Sequence, residues 1–271
     1  LRAEDLPAVI ALLQRDPVAD VFVASRVHTA GLDPARLGGE LWGYLVDGEL
    51  VAMCHAGANL IPVQADDEAI RAFADRALRQ GRRCASIVGE QGAVTYLWRL
   101  LEPAWGPARD VRPCQPVMAI DTEPRVDPDP LVRPVRMDEL DLLVPACVAM
   151  FTEEVGVSPT AGDGGASYRA RVAELVRAGR AYARIEGGRV TFKAEVGSAT
   201  PQACQIQGVW VPPDLRGQGR AAPGMAAVVA LARAEVAPVV SLYVNDFNLP
   251  ARATYRAVGF TDRGAFTSVL F

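Results

Sequence analysis

Beyond residue 136 the spacing of apolar positions changes period several times. In "MDELDLLVPACVAMFTEEVG" they recur every three or four residues, which predicts an amphipathic helix. The glycine-rich loop "SPTAGDGGAS" follows, and "YRARVAELVRAGR" returns to helical spacing. "AYARIEGGRVTFKAEVGS" alternates apolar and polar residues on both sides of the turn signal "EGG", so it predicts a strand pair. "ACQIQGVWV" reads as the next strand and "APGMAAVVALARAEV" as a helix. "VVSLYV" is then a strand, "LPARATYRAVGF" a short helix ending at Gly259, and "TSVLF" a last strand.

The first half repeats much of this order. A helical start leads to the strand pair "LWGYLVDGELVAMCHAG" around "DGE", then the helix "DDEAIRAFADRALRQG" and the strand "CASIVG". The helix "AVTYLWRLLEPAWG" and the strand "PVMAI" complete it. Between the halves, the prolines and charges of "DTEPRVDPDPLVRP" suit neither a strand nor a helix interior. The pattern predicts two copies of one α/β unit, over residues 1–122 and 133–271, joined by a linker at 123–132.

Composition narrows the function. The chain has 271 residues, 50% of them hydrophobic and 22% charged, with a net charge of −4, which suits a globular protein and not a nucleic-acid or membrane-surface binder. Of the 28 lysines and arginines only Lys193 is a lysine, which reads as codon bias. The five cysteines are scattered without a CxxC pair, and only His28 and His55 could assist, so no metal is expected. An odd, dispersed cysteine set suits a reducing cytoplasm. No apolar run is long enough to span a bilayer.

The candidate chemistry lies in "PDLRGQGRA". Pro212 and Pro213 end the strand that closes at Val211, and Pro223 falls in the first turn of the next helix. A helix N-terminus offers unpaired N–H groups and partial positive charge, and glycines before it let a pyrophosphate approach the backbone. Arg216 and Arg220 add charge. On glycine spacing alone, an ordinary strand-to-helix turn with surface arginines fits equally well.

Downstream, "NDFNLPARATYRAVGF" places Asn248 ahead of Tyr255 and Gly259-Phe260. Together the two stretches resemble the GCN5-related N-acetyltransferase (GNAT) family. Arg216, Gly219 and Ala221 match its loop motif, and Asn248, Tyr255 and Gly259-Phe260 match its second signature. The resemblance covers residues 131–271 by motif and the first half by element order only. It implies tandem domains, each a mixed, largely antiparallel sheet flanked by helices, with strands splaying apart after "GVWV". It also implies acetyl-CoA as co-substrate. The pyrophosphate would rest on the amides of Gly217, Gln218, Gly219, Arg220, Ala221 and Ala222. The pantetheine would pair with Val209, Trp210 and Val211 like an added strand and bond to Asn248. Tyr255 would face the thioester sulfur. A neutral amine would attack the thioester carbonyl, a backbone N–H near Val211 would stabilise the oxyanion, and Tyr255 would protonate the leaving thiolate. Without that motif Tyr255 reads equally as a packed aromatic.

A general base is harder to find. Gln205 and Gln207 stand where many members have a carboxylate, and Tyr243 stands where relatives acetylating protein N-termini have a Glu. Glu195 on the neighbouring strand is the candidate, with Glu153 and Glu154 in reserve and a water chain as the alternative. The first half has no Arg-x-x-Gly-x-Gly, an acidic "DDE" opens its corresponding helix, and Glu102 falls at the Tyr255 position. It reads as a degenerate copy. The expected function is acetylation of a small, amino-acid-like amine by a cytoplasmic monomer or homodimer. A non-catalytic CoA-responsive module is one alternative, and a tRNA-dependent aminoacyl transferase, disfavoured by net charge, is another.

Overall fold

Both hairpins turn on two residues with positive φ. Strands β1 (Gly39–Val46) and β2 (Glu49–Gly57) meet at Asp47 (φ 51°) and Gly48 (φ 84°). Strands β7 (Ala181–Glu186) and β8 (Arg189–Ala199) meet at Gly187 (φ 55°) and Gly188 (φ 76°). Two such residues in succession give the turn whose twist matches that of the flanking strands, so "DG" and "GG" fix both registers. A computed structural model describes residues 1–161 and 163–271; Gly162, in the glycine-rich loop, lies outside the described residues.

Helices α1 (Leu6–Leu13), α2 (Val21–Ala30) and α3 (Pro34–Leu37) precede the first hairpin. After it come β3 (Asn59–Val63), α4 (Asp67–Gln80), β4 (Ser86–Glu90), α5 (Gln91–Trp105) and β5 (Asp110–Ile120). The second copy runs through β6 (Arg133–Pro134), α6 (Leu140–Val155) and α7 (Ala166–Arg177) to the second hairpin. It continues with β9 (Ala203–Trp210), α8 (Ala221–Glu235), β10 (Val239–Tyr243), α9 (Leu249–Val258) and β11 (Thr261–Leu270). The alternation of helix and strand seen in the sequence is observed, but β3 and the two-residue β6 were not expected from it.

The chain divides into two compact units. The first comprises Leu1–Met118, Tyr243–Leu249 and Asp262–Phe271, and the second Ala119–Leu242 and Pro250–Thr261. These do not coincide with the continuous segments 1–122 and 133–271, because the final strand serves the first unit. There the sheet order is β1-β2-β3-β4-β11-β5, with β11 antiparallel to β4 from Phe266↔Glu90 to Leu270↔Ser86. Val269 joins the core of Ile87, Leu97 and Trp98. Phe271 meets the edges of Trp98 and Trp105 at 5.5 and 5.9 Å. The side chains that hold β11 therefore belong to the first copy.

In the second unit the order is β10-β9-β8-β7-β6. Only β9 and β10 run parallel; β8 is antiparallel to β9 and to β7, and β7 to β6. Helices α6 and α7 bury Leu143, Cys147, Val172 and Val176 against Ala181, Ala183 and Val190.

Candidate active site

Strand β9 pairs with β10 through three residues only, Ala203 to Gln205 against Val239 to Ser241. Beyond Gln205 the two strands no longer pair, while β9 runs on to Trp210. The divergence thus begins two residues before "GVWV", earlier than expected. On its other side β9 stays with β8, but the register shifts between Glu195↔Gln207 and Lys193↔Trp210. One extra residue on β9 makes a bulge, and Gly208 (φ 62°) supplies the left-handed backbone it needs. The bulge sets Val209 and Trp210 on the stretch unpaired with β10.

The loop that follows is built for backbone exposure. Pro213–Leu215 form a single 3-10 turn. Gly217 (φ 72°) and Gly219 (φ 73°) adopt a conformation that L side chains disfavour, and a Cβ at either would meet nothing within 4 Å. The glycines are therefore not there to relieve a clash. Ala221 opens α8 with no side-chain cap and no acidic residue in its first turn. By contrast, Asp66 caps α4 by accepting from the N–H groups of Glu68 and Ala69, and Asp67 and Glu68 add negative charge there. One helix leaves its N-terminal donors open and the other fills them. Gly224 also lets α8 approach β8, since a Cβ there would lie 2.7 Å from the Phe192 ring.

The loop arginines are already engaged. Arg216 donates to both Glu153 oxygens at 2.7 Å and, through Nε, to Val211 O at 3.0 Å. Trp210 Nε1 also donates to Glu153. Arg220 donates to Glu186 at 2.9 Å, and the Gln218 amide donates to Asp214 O. Beside the loop, Gln218, Gly219, Arg220 and Pro223 line a polar cavity of about 440 Å³ with Arg184 and the linker residues Pro128–Pro130. A diphosphate resting here would be held through the loop backbone. Its charge would compete with Glu153 and Glu186 for the two arginines.

Tyr255 belongs to the second unit with the loop, β9 and Glu195, whereas Asn248 belongs to the first. Tyr255 is buried at 7% exposure, with its ring 5.9 Å from Phe260. Burial, reinforced by the charge of Glu154, pushes its phenol well above the ordinary range, so the hydroxyl keeps its proton at neutral pH. The Asn248 N–H donates to Asn245 O.

Glu195 is neither exposed nor free. Lys193 Nζ lies 3.3 Å from Glu195 Oε2, and Gln207 Nε2 donates to Oε1 at 2.9 Å. Both partners were missed as such: Gln207 faces Glu195 only through the pairing of β9 with β8, while Lys193 lies two residues away on the same strand face. Lys193 is 1% exposed; burial pulls its ammonium down, but the charges of Glu195 and Cys147 outweigh that and raise it. Two glycines make the room. A Cβ at Gly208 would sit 3.0 Å from Lys193 Nζ, and one at Gly197 would overlap the Gln207 amide. Reading the lone lysine as codon bias passed over the one signal that marked this site. Tyr168 completes it by donating to Cys147 O at 3.1 Å. Burial raises its phenol too, helped by Cys147, Glu195 and Glu154. Among the described residues, no group of three or more His, Cys, Asp or Glu is placed to hold a metal. Among the described residues, no helix is long and apolar enough to cross a membrane.

Residues 174–260 match the family model of the acetyltransferase (GNAT) family, and residues 39–143 match a domain of unknown function, DUF4081. No curated protein matches the chain. Among solved structures, an acetyltransferase of the GNAT family from Colwellia psychrerythraea is 13% identical, with a TM-score of 0.59 over 100% of this chain and 97% of that one. A GCN5-related N-acetyltransferase from Sphaerobacter thermophilus is 21% identical, with a TM-score of 0.59 over 99% of this chain and 92% of that one. A tandem GNAT protein from the clavulanic acid biosynthesis pathway is 17% identical, with a TM-score of 0.57 over 100% and 97%. The fold of the whole chain is similar to that of a tandem GNAT protein.

Proposed function

We propose, on the premise that residues 174–260 form a GNAT acetyltransferase domain, that the chain moves an acetyl group from acetyl-CoA to the primary amine of a small, amino-acid-like acceptor. The observation that carries this reading is the pair of left-handed glycines, open on their Cβ side, before the uncapped start of α8. Their setting matches what a bound diphosphate needs from a backbone.

Acetyl-CoA supplies an acetyl group activated as a thioester. The amides from Gly217 to Ala222 hold its diphosphate, and the β9 backbone at Val209 to Val211 accompanies its pantetheine. Tyr255 keeps a proton available for the departing sulfur, because a thiol ionises near ~8.5 and this buried phenol well above ~10. Glu195, held between Lys193 and Gln207, receives the amine's proton. Two hydrogen bonds occupy only part of a carboxylate's roughly four acceptor sites, so capacity remains. The acceptor is a small molecule, not a nucleic acid or a membrane, and the enzyme works in the cytoplasm as a monomer or homodimer.

A second reading, a CoA-responsive module without turnover, draws on the engagement of Glu195 and Arg216 by their partners. Release of free thiol from acetyl-CoA, measured across a panel of small amines, separates the two. Amine-dependent thiol release with a mass gain on the amine supports transfer. Acetyl-CoA binding without thiol release across the panel supports the module.

A further inference from the structure

We propose that Glu153, on the last turn of α6, is an internal competitor for the donor's diphosphate. It holds Arg216 until acetyl-CoA arrives, and the guanidinium then passes from the carboxylate to the phosphates. This rests on the donor site proposed above and adds to it a residue that sets its affinity.

Each of the three guanidinium nitrogens of Arg216 donates. The two terminal ones reach the two Glu153 oxygens at 2.7 Å, and Nε reaches Val211 O at 3.0 Å. A fork on a carboxylate is also the geometry in which arginine takes a phosphate, so one anion can replace the other. The hydrogen bonds from Arg216, opposed by partial burial and aided by Trp210, hold the Glu153 carboxyl below the usual range. Glu153 is therefore an anion at neutral pH. Val211 ends the stretch expected to accompany the pantetheine, so the same exchange uncovers its carbonyl.

Helix charge explains why the arginine is drawn to α6. Glu153 and Glu154 both lie in the last turn, which has no basic residue. A helix C-terminus carries partial negative charge, so carboxylates there need a cation. The loop supplies one in Arg216.

Arg220 differs. Its partner Glu186 also accepts from Arg184 and Thr191, so it stays paired when Arg220 turns to a ligand. Glu153 keeps only Trp210 Nε1, at 3.3 Å. The cost of binding the donor therefore concentrates at Glu153, a role other than proton acceptor.

Calorimetric titration with acetyl-CoA of the parent, Glu153→Gln, Arg216→Met and the double variant tests this. The two side chains are 50% and 44% exposed, so circular dichroism and melting should match the parent. Glu153→Gln should bind acetyl-CoA roughly three- to fivefold more tightly, as expected for release of a well-formed but exposed ion pair. Arg216→Met should bind it about tenfold more weakly. With Arg216→Met already present, Glu153→Gln should change affinity by less than about 1.5-fold, because the carboxylate acts by holding the arginine. Unchanged or weaker binding by Glu153→Gln overturns the proposal. So does equal tightening with and without Arg216, the mark of simple repulsion between carboxylate and phosphate. No binding by any of the four proteins at millimolar acetyl-CoA overturns the donor site itself, and the exchange with it.

Discussion

Gln207 on β9 lies directly across from Glu195 on β8, and its amide donates to the Glu195 carboxylate at 2.9 Å. The strand that lacks a carboxylate thus grips one supplied by its neighbour. Lys193 holds the other oxygen from within the same strand.

This pair makes a stability prediction. Glu195→Gln leaves a buried ammonium without its counter-charge, and Lys193→Met leaves a buried carboxylate. Each single change should cost roughly 3–5 kcal/mol, whereas Lys193→Met with Glu195→Leu should cost clearly less than their sum. Denaturant midpoints of the three variants and the parent check it, and additive losses would count against an energetically coupled pair. Per folded molecule, Glu195→Gln should also lower turnover by about 10²-fold or more if this carboxylate takes the proton. Unchanged turnover would move the base elsewhere.

Tyr255→Phe removes only a hydroxyl from a packed ring. Melting temperature and acetyl-CoA affinity should hold, while kcat falls by roughly 10²–10⁴-fold. Full activity with a good acceptor would reduce Tyr255 to a packing residue.

Gly219→Asp should abolish acetyl-CoA binding without unfolding the protein. The new side chain enters open space, so no clash arises, but it sets a negative charge where a diphosphate must rest. Gly219→Ala separates backbone strain, on the order of 1 kcal/mol, from charge. Calorimetry that finds the Asp variant binding like the parent would reject the loop assignment.

Asp20 gives a pH dependence. Burial, opposed by the Gln64 hydrogen bond and aided by Asp16, pushes its carboxyl up to about 7. The unfolded chain releases this proton near ~4. The folded state therefore binds more protons between those values, and the contribution is fully present below about 4 and lost as pH rises through 7. Asp20→Asn should remove that slope. The gap between parent and variant unfolding free energies should change by about 2.5 kcal/mol between pH 5 and pH 8. Parallel curves would mean that Asp20 is ionised in the fold.

Much of the fold was legible because its signals are local. Period changes, the "DG" and "GG" turns and the open start of α8 each need only a few adjacent residues. The same holds for Gly217 and Gly219, whose backbone matches their motif. What escaped depends on contacts distant in sequence. Arg216 looked like a phosphate ligand, and nothing local showed that Glu153 on α6 would hold it. Gln207 meets Glu195 only once β9 pairs with β8, whereas Lys193, two residues before Glu195 on the same strand face, was legible in the alternation and passed over. The final strand escaped likewise, since alternation in "TSVLF" shows that it pairs but not with which copy.

That strand has a consequence for synthesis. Residues 262–271 leave the ribosome long after β4 and β5, yet they fill the place between them. Until then the first unit carries two incomplete edges and a core without Val269 and Phe271. Unpaired edges beside exposed aromatic surface invite pairing with other chains. The nascent protein must therefore keep its earliest-made half unfinished, or shielded by chaperones, while the second half is translated.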